Sequence, residues 1–412
     1  MTTVDVVNDV AGSPILVGQA HFTRARGRVS TTFLYDTDYL AGNGTTIDPA
    51  LRLASGAQHH SGMIRAFADS APDRWGRNLI DKGERTRTRQ DKRVPRRLDD
   101  VDYLLGVSDD TRQGSLRFAL HGHAEFLGAP SRVPTLVSLP ELLHAADDLA
   151  RGDDPKEAVK RLLSTGTAGL GGARPKAAVK LSDGSLGIAK FPHAGDDWNV
   201  TAWEATALDL LEQAGIHTPY RRLVPVGNRS ALVLRRFDRT TSGERIGYIS
   251  AMTTTESTDG EQRDYADIAD SIRDLSRSPK SDLRELYSRV IANIALGNTD
   301  DHLRNHGFLA SGNSWTLSPV FDVNPNPDPS RQRSTSIMGA DSFPEEVDGL
   351  LALAEECDLG IEQARQQIRQ VTSALSSWRE LALRHGISQR ELSLMAESLE
   401  PRLEGLRAAE WL

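Results

Sequence analysis

The chain has a single cysteine, Cys357, so no disulfide can form within it. A reducing compartment is the simpler expectation. No apolar run is long enough to span a bilayer. The first residues, Met1 to Asp9, carry neither a basic region nor a long apolar stretch, so no secretory signal is expected. Positive charge is not in excess either. With 49 Lys and Arg against 57 Asp and Glu the net charge is −8, which argues against a generally basic, nucleic-acid-binding surface. Basic residues crowd only one stretch, Arg85 to Arg97, and few aromatics interleave with it. A solvated connector is the expectation there. No internal repeat is visible. What is present fits a soluble globular protein of the cytoplasm: 412 residues, 38% hydrophobic and 26% charged, enough for two or three structural units.

Several catalytic signatures are missing as well. The glycine-rich stretch from Gly166 to Gly172 has no Lys-Ser/Thr ending of a Walker loop and does not match G-x-G-x-x-G. By itself it predicts a mobile loop, although Arg174 and Lys176 just after it suit an anion. His302 and His306 stand four apart, as helical zinc ligands do. Leu303 occupies the place where a zinc peptidase needs Glu.

The pattern of the chain is strands first, helices later. Ile15, Val17 and Phe22, then Val29, Phe33 and Tyr35, predict short strands about the turn-like Arg24-Ala25-Arg26-Gly27. Asp73 or Ser70 is placed to cap a helix carrying Trp75, Leu79 and Ile80. Gly122 to Pro134 has loop composition and marks a boundary. Leu139 to Arg151 and Pro155 to Leu163 read as helices. Ala177 to Leu181 and Leu186 to Phe191 read as a hairpin over Ser182-Asp183-Gly184-Ser185. Asn199 to Ala214 is helical. Leu223 to Val226 and Ala231 to Leu234 are strand-like, with Pro225 pointing to an edge. Leu283, Leu286, Val290 and Ile294 then share one helical face, with Tyr287 and Ile291 beside them, and more amphipathic segments follow from Glu345 on. The expected fold is α+β, a bilobal protein-kinase-like arrangement. Its expected parts are a segment over 1–130, a β-rich lobe over 131–245, and a mainly helical lobe over 246–412.

The densest polar run is Gly297-Asn298-Thr299-Asp300-Asp301-His302-Leu303-Arg304-Asn305-His306-Gly307. An apolar strand resumes at Phe308, and Val320-Phe321-Asp322 reads as the end of another. An Asp, an Asn five positions on, and a later Asp are the order in which protein kinases orient the acceptor hydroxyl and hold magnesium. Asp300 is the candidate for orienting the hydroxyl, and Asn305 and Asp322 are the candidate Mg²⁺ ligands. Asp301 is either a catalytic alternative or a helix cap. Lys190, in Ala189-Lys190-Phe191, is the candidate for holding the α- and β-phosphates of ATP. Glu204 is its natural ion-pair partner and Glu212 the alternative.

Together these motifs resemble HipA-type serine/threonine kinases, the toxin components of bacterial toxin–antitoxin pairs. The resemblance rests on Gly171-Gly172-Ala173-Arg174-Pro175-Lys176, Ala189-Lys190-Phe191-Pro192, Asn298 to Asn305, Phe321-Asp322-Val323, and the earlier run from Phe67 to Arg77 with Pro72-Asp73-Arg74-Trp75-Gly76-Arg77. It covers nearly the whole chain. It implies an ATP- and Mg²⁺-dependent protein kinase, with Gly171, Gly172 and Lys176 in the phosphate loop. It also implies a hinge in Leu234-Arg235-Arg236-Phe237, where backbone groups about Arg235 and Phe237 would hold the adenine. Members of the family phosphorylate translation components, notably aminoacyl-tRNA synthetases. They are restrained by a small HipB-like antitoxin, through which alone DNA would be reached; no membrane is implied. One departure stands out: Gly169 occupies a position where the family often has a serine that becomes autophosphorylated, and Ser164, Thr165 and Thr167 are the nearby hydroxyls. Two other readings stay open. One is a catalytically weak, nucleotide-binding partner in an antitoxin–DNA complex. The other is a metal-dependent phosphohydrolase using Asp300, Asp301, His302 and Asp322.

Overall fold

The structure is a computed structural model that describes residues 2–42, 44–128, 131–151, 156–193 and 195–410. The chain forms two units, and neither is contiguous: Met1–Gly195 with Val224–Ile249, and Asp196–Leu223 with Ser250–Leu412.

The first unit opens on a five-stranded sheet. Its strands are β1 (Thr2–Val10), β2 (Ser13–Ala25), β3 (Arg28–Tyr35), β4 (Gln58–His60) and β5 (Leu116–Leu120), in the order β4-β3-β2-β1-β5. Period-two alternation buries Val4 and Val6 of β1, Ala20 and Phe22 of β2, and Phe33 of β3, and an irregularity in the β1–β2 register between Val6 and Val7 leaves the buried Val17 without a Cα partner. The β2–β3 turn falls where the sequence places it, with Arg26 and Gly27 both at positive φ, 51° and 75°. Two short helices, α1 (Thr37–Ala41) and α2 (Arg65–Asp69), follow; Phe67 of α2 meets Phe118 at 5.2 Å and Phe22 at 6.5 Å.

Helix α3 (Arg74–Gln90) runs further than the sequence suggests and takes in the first half of the basic stretch. Only the residues beyond Gln90 are an irregular connector. Then come α4 (Asp100–Gly106), α5 (Leu139–Arg151) and α6 (Lys156–Ser164). The expected start of α6 at Pro155 lies outside the described residues. Trp75 and Leu79 of α3, Leu142, Leu143 and Leu149 of α5, and Val159 and Leu162 of α6 form one core with a second sheet. That sheet comprises β6 (Lys176–Lys180), β7 (Leu186–Lys190), β8 (Arg221–Val226) and β9 (Arg229–Arg235), ordered β6-β7-β9-β8. Pro225 therefore sits on an edge strand, as a residue without an N–H should. A buried ionic cluster pins the chain after β9 to the segment before β5. Asp238 accepts from the Gly114 amide at 2.8 Å and from Arg239 at 2.9 Å, and Arg236 reaches the Thr111 carbonyl at 2.6 Å.

The second unit is mainly helical: α7 (Val200–Gln213), α8 (Ala251–Thr254), α9 (Tyr265–Leu275), α10 (Pro279–Ala295), α11 (Glu345–Glu356), α12 (Ile361–Leu375), α13 (Trp378–Arg384) and α14 (Gln389–Ala409). The Asn199 side chain caps α7 by accepting from the Ala202 amide at 3.2 Å. In helix α10, Tyr287 and Ile291 are as fully buried as Leu283, Leu286, Val290 and Ile294. Ser288, Arg289 and Asn293 are buried too, so from Leu286 on the helix is enclosed beyond the apolar face that the sequence marks.

An antiparallel hairpin, Gly307–Ser311 with Ser314–Leu317, follows the polar run. The strand expected at Val320-Phe321-Asp322 does not form. Regular structure ends at Leu317, and 318–327 runs without helix or strand. Pro319, Pro325 and Pro327 withhold amides there, and Asp322 takes a positive φ of 60°. Among the described residues no helix is long and apolar enough to cross a membrane.

Candidate active site

In the first unit the glycine-rich loop is built against the start of α3. Asp73 occupies the N-cap position of that helix, but its carboxylate makes no capping bond. It accepts instead from the amide of Gly172 at 2.7 Å, ninety-nine residues away. The Gly172 carbonyl receives the Trp75 amide at 3.2 Å, and the Trp75 indole N–H reaches the Lys176 carbonyl at 3.1 Å. Gly76 closes the contact. A Cβ there would lie 2.0 Å from the Ala168 carbonyl oxygen, so only glycine lets the helix approach the loop backbone. Gly172 has φ +87°, also a glycine conformation. The Lys176 ammonium donates to the Gly171 carbonyl across the same loop. Gly171, Gly172 and Lys176 thus lie together, as the sequence suggested, but the frame holding them comes from Asp73 to Gly76.

Lys190 ends β7, directly opposite Lys176 on β6 and Leu232 on β9, and is only 9% exposed. Its burial sets it apart from an ordinary surface lysine with a wet ammonium. At the expected hinge, Arg235 ion-pairs with Asp183 in the β6–β7 turn, and Phe237 packs on Tyr248 at 6.2 Å. The Arg236 amide is engaged by the Leu186 carbonyl at 3.0 Å.

The loop hydroxyls sort by exposure. Gly169 is buried in a short 3₁₀ turn, and a Cβ there would meet Val107 Cγ1 at 2.8 Å. A serine does not fit at this position as the loop stands. Thr165 and Thr167 are buried and hydrogen-bonded to one another, whereas Ser164 is exposed.

In the second unit, Glu204 is buried within α7, 2% exposed. The polar run Asn298–His306 forms a loop between α10 and the hairpin. Asp300 faces solvent, its side chain 67% exposed, with Arg331 at 3.4 Å. Its neighbour Asp301 turns inward. Its carboxylate accepts from Asn293 at 2.7 Å, from His306 Nε2 at 2.8 Å, and from the Tyr265 hydroxyl. Burial alone would raise the Asp301 pKa; the imidazole of His306, the Tyr265 hydroxyl and the more distant Arg333 outweigh it and hold the pKa below the usual carboxylate range. Tyr265 is pushed well above its ordinary value, by burial first and by the Asp301 charge second. Asp301 is therefore neither a helix cap nor a catalytic alternative facing solvent. It is the anchor beneath Asp300.

The anchor continues downward. Asn298 donates to Asn293 at 2.9 Å, Arg333 reaches the Asn298 carbonyl at 3.3 Å, and Arg333 and Arg402 both bind Glu346, at 3.0 and 3.1 Å. Asn305 and Asp322 attach to the same loop. The Asn305 amide nitrogen donates to the Asp300 carbonyl at 3.3 Å, which turns its amide oxygen away. Two residues past Asp322, the Asn324 amide donates to Asn298 Oδ1 at 3.3 Å and its side chain to the Asp322 carbonyl at 3.2 Å. Asp300, Asn305 and Asp322 are thus carried on adjoining, mutually bonded loops.

An amide oxygen and a carboxylate are hard oxygen donors of the kind Mg²⁺ takes, with water and substrate phosphate completing the shell. The buried Asn324 Oδ1, without a hydrogen-bond partner, adds a further oxygen close by. Among the described residues no three His, Cys, Asp or Glu side chains converge as a metal-binding group. The constellation Asp300, Asp301, His302 and Asp322 needed for a metal phosphohydrolase is not assembled, because Asp301 points into the core.

Sequence reasoning passed over Asn293, Tyr265, Arg333, Glu346 and Asn324, and gave Asn298 no role of its own. Asn293 carried a signal, as a polar residue between Ile291 and Ile294 on a helix otherwise apolar there. Tyr265, Arg333 and Glu346 lie too far along the chain from Asp301 to be paired by eye.

Comparisons with known proteins bear on the fold and the family. A chain of the Shewanella oneidensis MR-1 complex of HipA, HipB and operator DNA overlays 99% of this chain and 96% of its own length, with a TM-score of 0.62 at 15% identity. That likeness is one of fold, and the fold is α+β and kinase-like. The putative kinase Y4mE of Sinorhizobium fredii (strain NBRC 101917 / NGR234) is 24% identical over 233 residues, which is 48% of this chain. The match spans about half of that relative, 53% of its length. The model of the HipA-like C-terminal domain matches residues 168–378, just over half of the chain, from the glycine-rich loop through the Asp300 and Asp322 loops. The protein belongs to the HipA-like C-terminal domain family.

Proposed function

We propose that the protein is a HipA-like kinase that transfers the γ-phosphate of ATP to a serine or threonine of another protein. The observation that carries this reading is the loop around Asp300. An exposed carboxylate stands on a buried, hydrogen-bonded platform centred on Asp301, with an amide oxygen and a second carboxylate on the adjoining turns. Such a platform supports preorganised electrostatic catalysis.

Asp300 orients the acceptor hydroxyl and receives its proton as the oxygen attacks the γ-phosphorus. The bond to the β–γ bridging oxygen breaks, and ADP leaves. Asn305 and Asp322 hold Mg²⁺, which neutralises charge on the phosphates when bound. Lys190 positions the α- and β-phosphates, with Glu204 assigned as its acidic partner. Gly171, Gly172 and Lys176 form the phosphate loop, and the backbone about Arg235 and Phe237 holds the base. The three-part division, accessory segment to about 130, nucleotide lobe to about 245, helical lobe beyond, is the functional partition we assign. A translation component such as an aminoacyl-tRNA synthetase is the substrate class. A HipB-like antitoxin is the restraining partner, with DNA reached through it, and the cytoplasm is the compartment. The relatives' names and the shared fold support this reading.

The test is label transfer from γ-labelled ATP into the proteins of a cell extract. Wild type should label one or a few proteins, and Asp300→Asn and Lys190→Ala should each lose roughly 10²-fold or more of that signal. ATP binding without transfer in any extract would move the reading to a nucleotide-binding regulatory partner.

A further inference from the structure

The glycine-rich loop is expected to offer backbone N–H groups to phosphate oxygens, yet one of them is already engaged by a negative charge. The Gly172 amide donates to the Asp73 carboxylate at 2.7 Å, a length typical of a charge-assisted bond. The same carboxylate oxygen lies 3.0 Å from where a Cβ on Gly171 would be. It rests directly against the bare backbone face that a phosphate would approach. Asp73 is the backbone N-cap residue of a 17-residue helix, and a capping bond to its own helix is the ordinary use for such a side chain. It makes none, and is spent on the loop instead. Around it, the Trp75 amide, the Trp75 indole and the close approach of Gly76 fasten the same loop at Gly172, Lys176 and Ala168. Those three contacts are neutral and hold loop shape. Of the contacts made from the start of α3, Asp73 alone brings charge to the loop, opposite in sign to the Lys176 ammonium on the Gly171 carbonyl.

We infer that Asp73 is a carboxylate latch: it competes with the phosphates of the nucleotide for the Gly172 N–H and so sets nucleotide affinity from the amino-terminal segment. The inference rests on the proposed kinase reading and deepens it. One N–H cannot serve two anions well, and a phosphate brought to the loop meets a like charge at hydrogen-bond range. Binding of ATP therefore requires Asp73 to swing away, while the Trp75 and Gly76 contacts keep the loop in place. Asp73 is a regulatory positioning residue and takes no part in the transfer itself.

The latch makes a prediction opposite to that of a supporting residue. Asp73→Asn keeps an oxygen acceptor for the Gly172 amide and removes the charge. With Mg²⁺ present, it should bind ATP and ADP about 5-fold or more tighter than wild type, the scale expected for removing one like charge at this range. Adenosine, which has no phosphate, should bind both proteins equally. In transfer assays the gain should appear in KM for ATP with kcat little changed. Asp73→Ala should also bind ATP more tightly than wild type, and circular dichroism should show both variants folded. Unchanged or weaker ATP binding by Asp73→Asn, with wild type binding ATP and Lys190→Ala losing it, overturns the latch and leaves the kinase reading standing. A wild type and an Asp73→Asn that both fail to bind ATP overturn the two together.

Discussion

Asp300 and Asp301 are adjacent carboxylates with opposite fates, and the difference is environment. The Asp300 side chain is 67% exposed and that of Asp301 5%. Asp301 survives as a buried charge because three donors converge on it; without them the desolvation cost would be several kcal/mol. Replacing it by Asn keeps the shape but removes the charge those donors are arranged around. Asp301→Asn should lower stability by roughly 2–4 kcal/mol near neutral pH, in line with removing one member of a buried pair. The pH dependence has a definite sign. The folded pKa of Asp301 lies below its ordinary value, so its contribution is complete above about pH 4 and is lost as pH falls through the folded pKa. Urea denaturation at a series of pH values should show the gap between wild type and Asp301→Asn closing below about pH 4. A gap that stays constant into strong acid would mean that Asp301 is not held as the carboxylate.

At the scale of elements, the contact between the start of α3 and the glycine-rich loop decides the shape of the proposed phosphate site. Gly76→Ala places a methyl 2.0 Å from a backbone oxygen and 2.7 Å from Pro72 Cβ, and neither is the far end of a flexible chain. The variant should lose roughly 1–3 kcal/mol, the range for overpacking, and should expose the loop after Ser164 to limited proteolysis before the rest of the chain. Wild-type protection of that loop in the variant would disprove the clamp.

This contact also marks where sequence reading stops. The β6–β7 hairpin, α5 and α7 were legible because their patterns are local: alternation, a capping Asn199, a turn at Asp183-Gly184. Asp300, Asn305 and Asp322 were legible as an ordered set of residue types. The strand expected at Val320 does not form because Pro319, Pro325 and Pro327 flank the short apolar run and withhold the amides that a ladder needs. The first strand went unmarked, although Val4 and Val6 alternate with polar residues. Asp73 read as a helix cap because nothing within twenty residues of it reveals a partner at Gly172.

For the whole molecule, the chemistry-bearing residues are gathered from far apart in the chain. Residues 73, 172, 176 and 190 meet in the first unit, and 265, 293, 301 and 306 in the second. Ties of this range are formed only in the folded chain, so a ligand that uses them must favour that state. Binding to the native state alone stabilises it by RT ln(1 + [L]/Kd), about 2.7 kcal/mol at a hundredfold excess over Kd. For a chain of this size that corresponds to a rise of several degrees in the melting transition. Mg²⁺-ATP should produce such a rise in wild type and Mg²⁺ alone should not. Because Lys190 is only 9% exposed at the end of β7 and is the proposed phosphate ligand, Lys190→Ala should cancel most of the ATP-dependent rise while folding normally. Differential scanning fluorimetry across a nucleotide titration measures this directly. A rise of equal size in Lys190→Ala would place the phosphates elsewhere on the protein and remove Lys190 from the site.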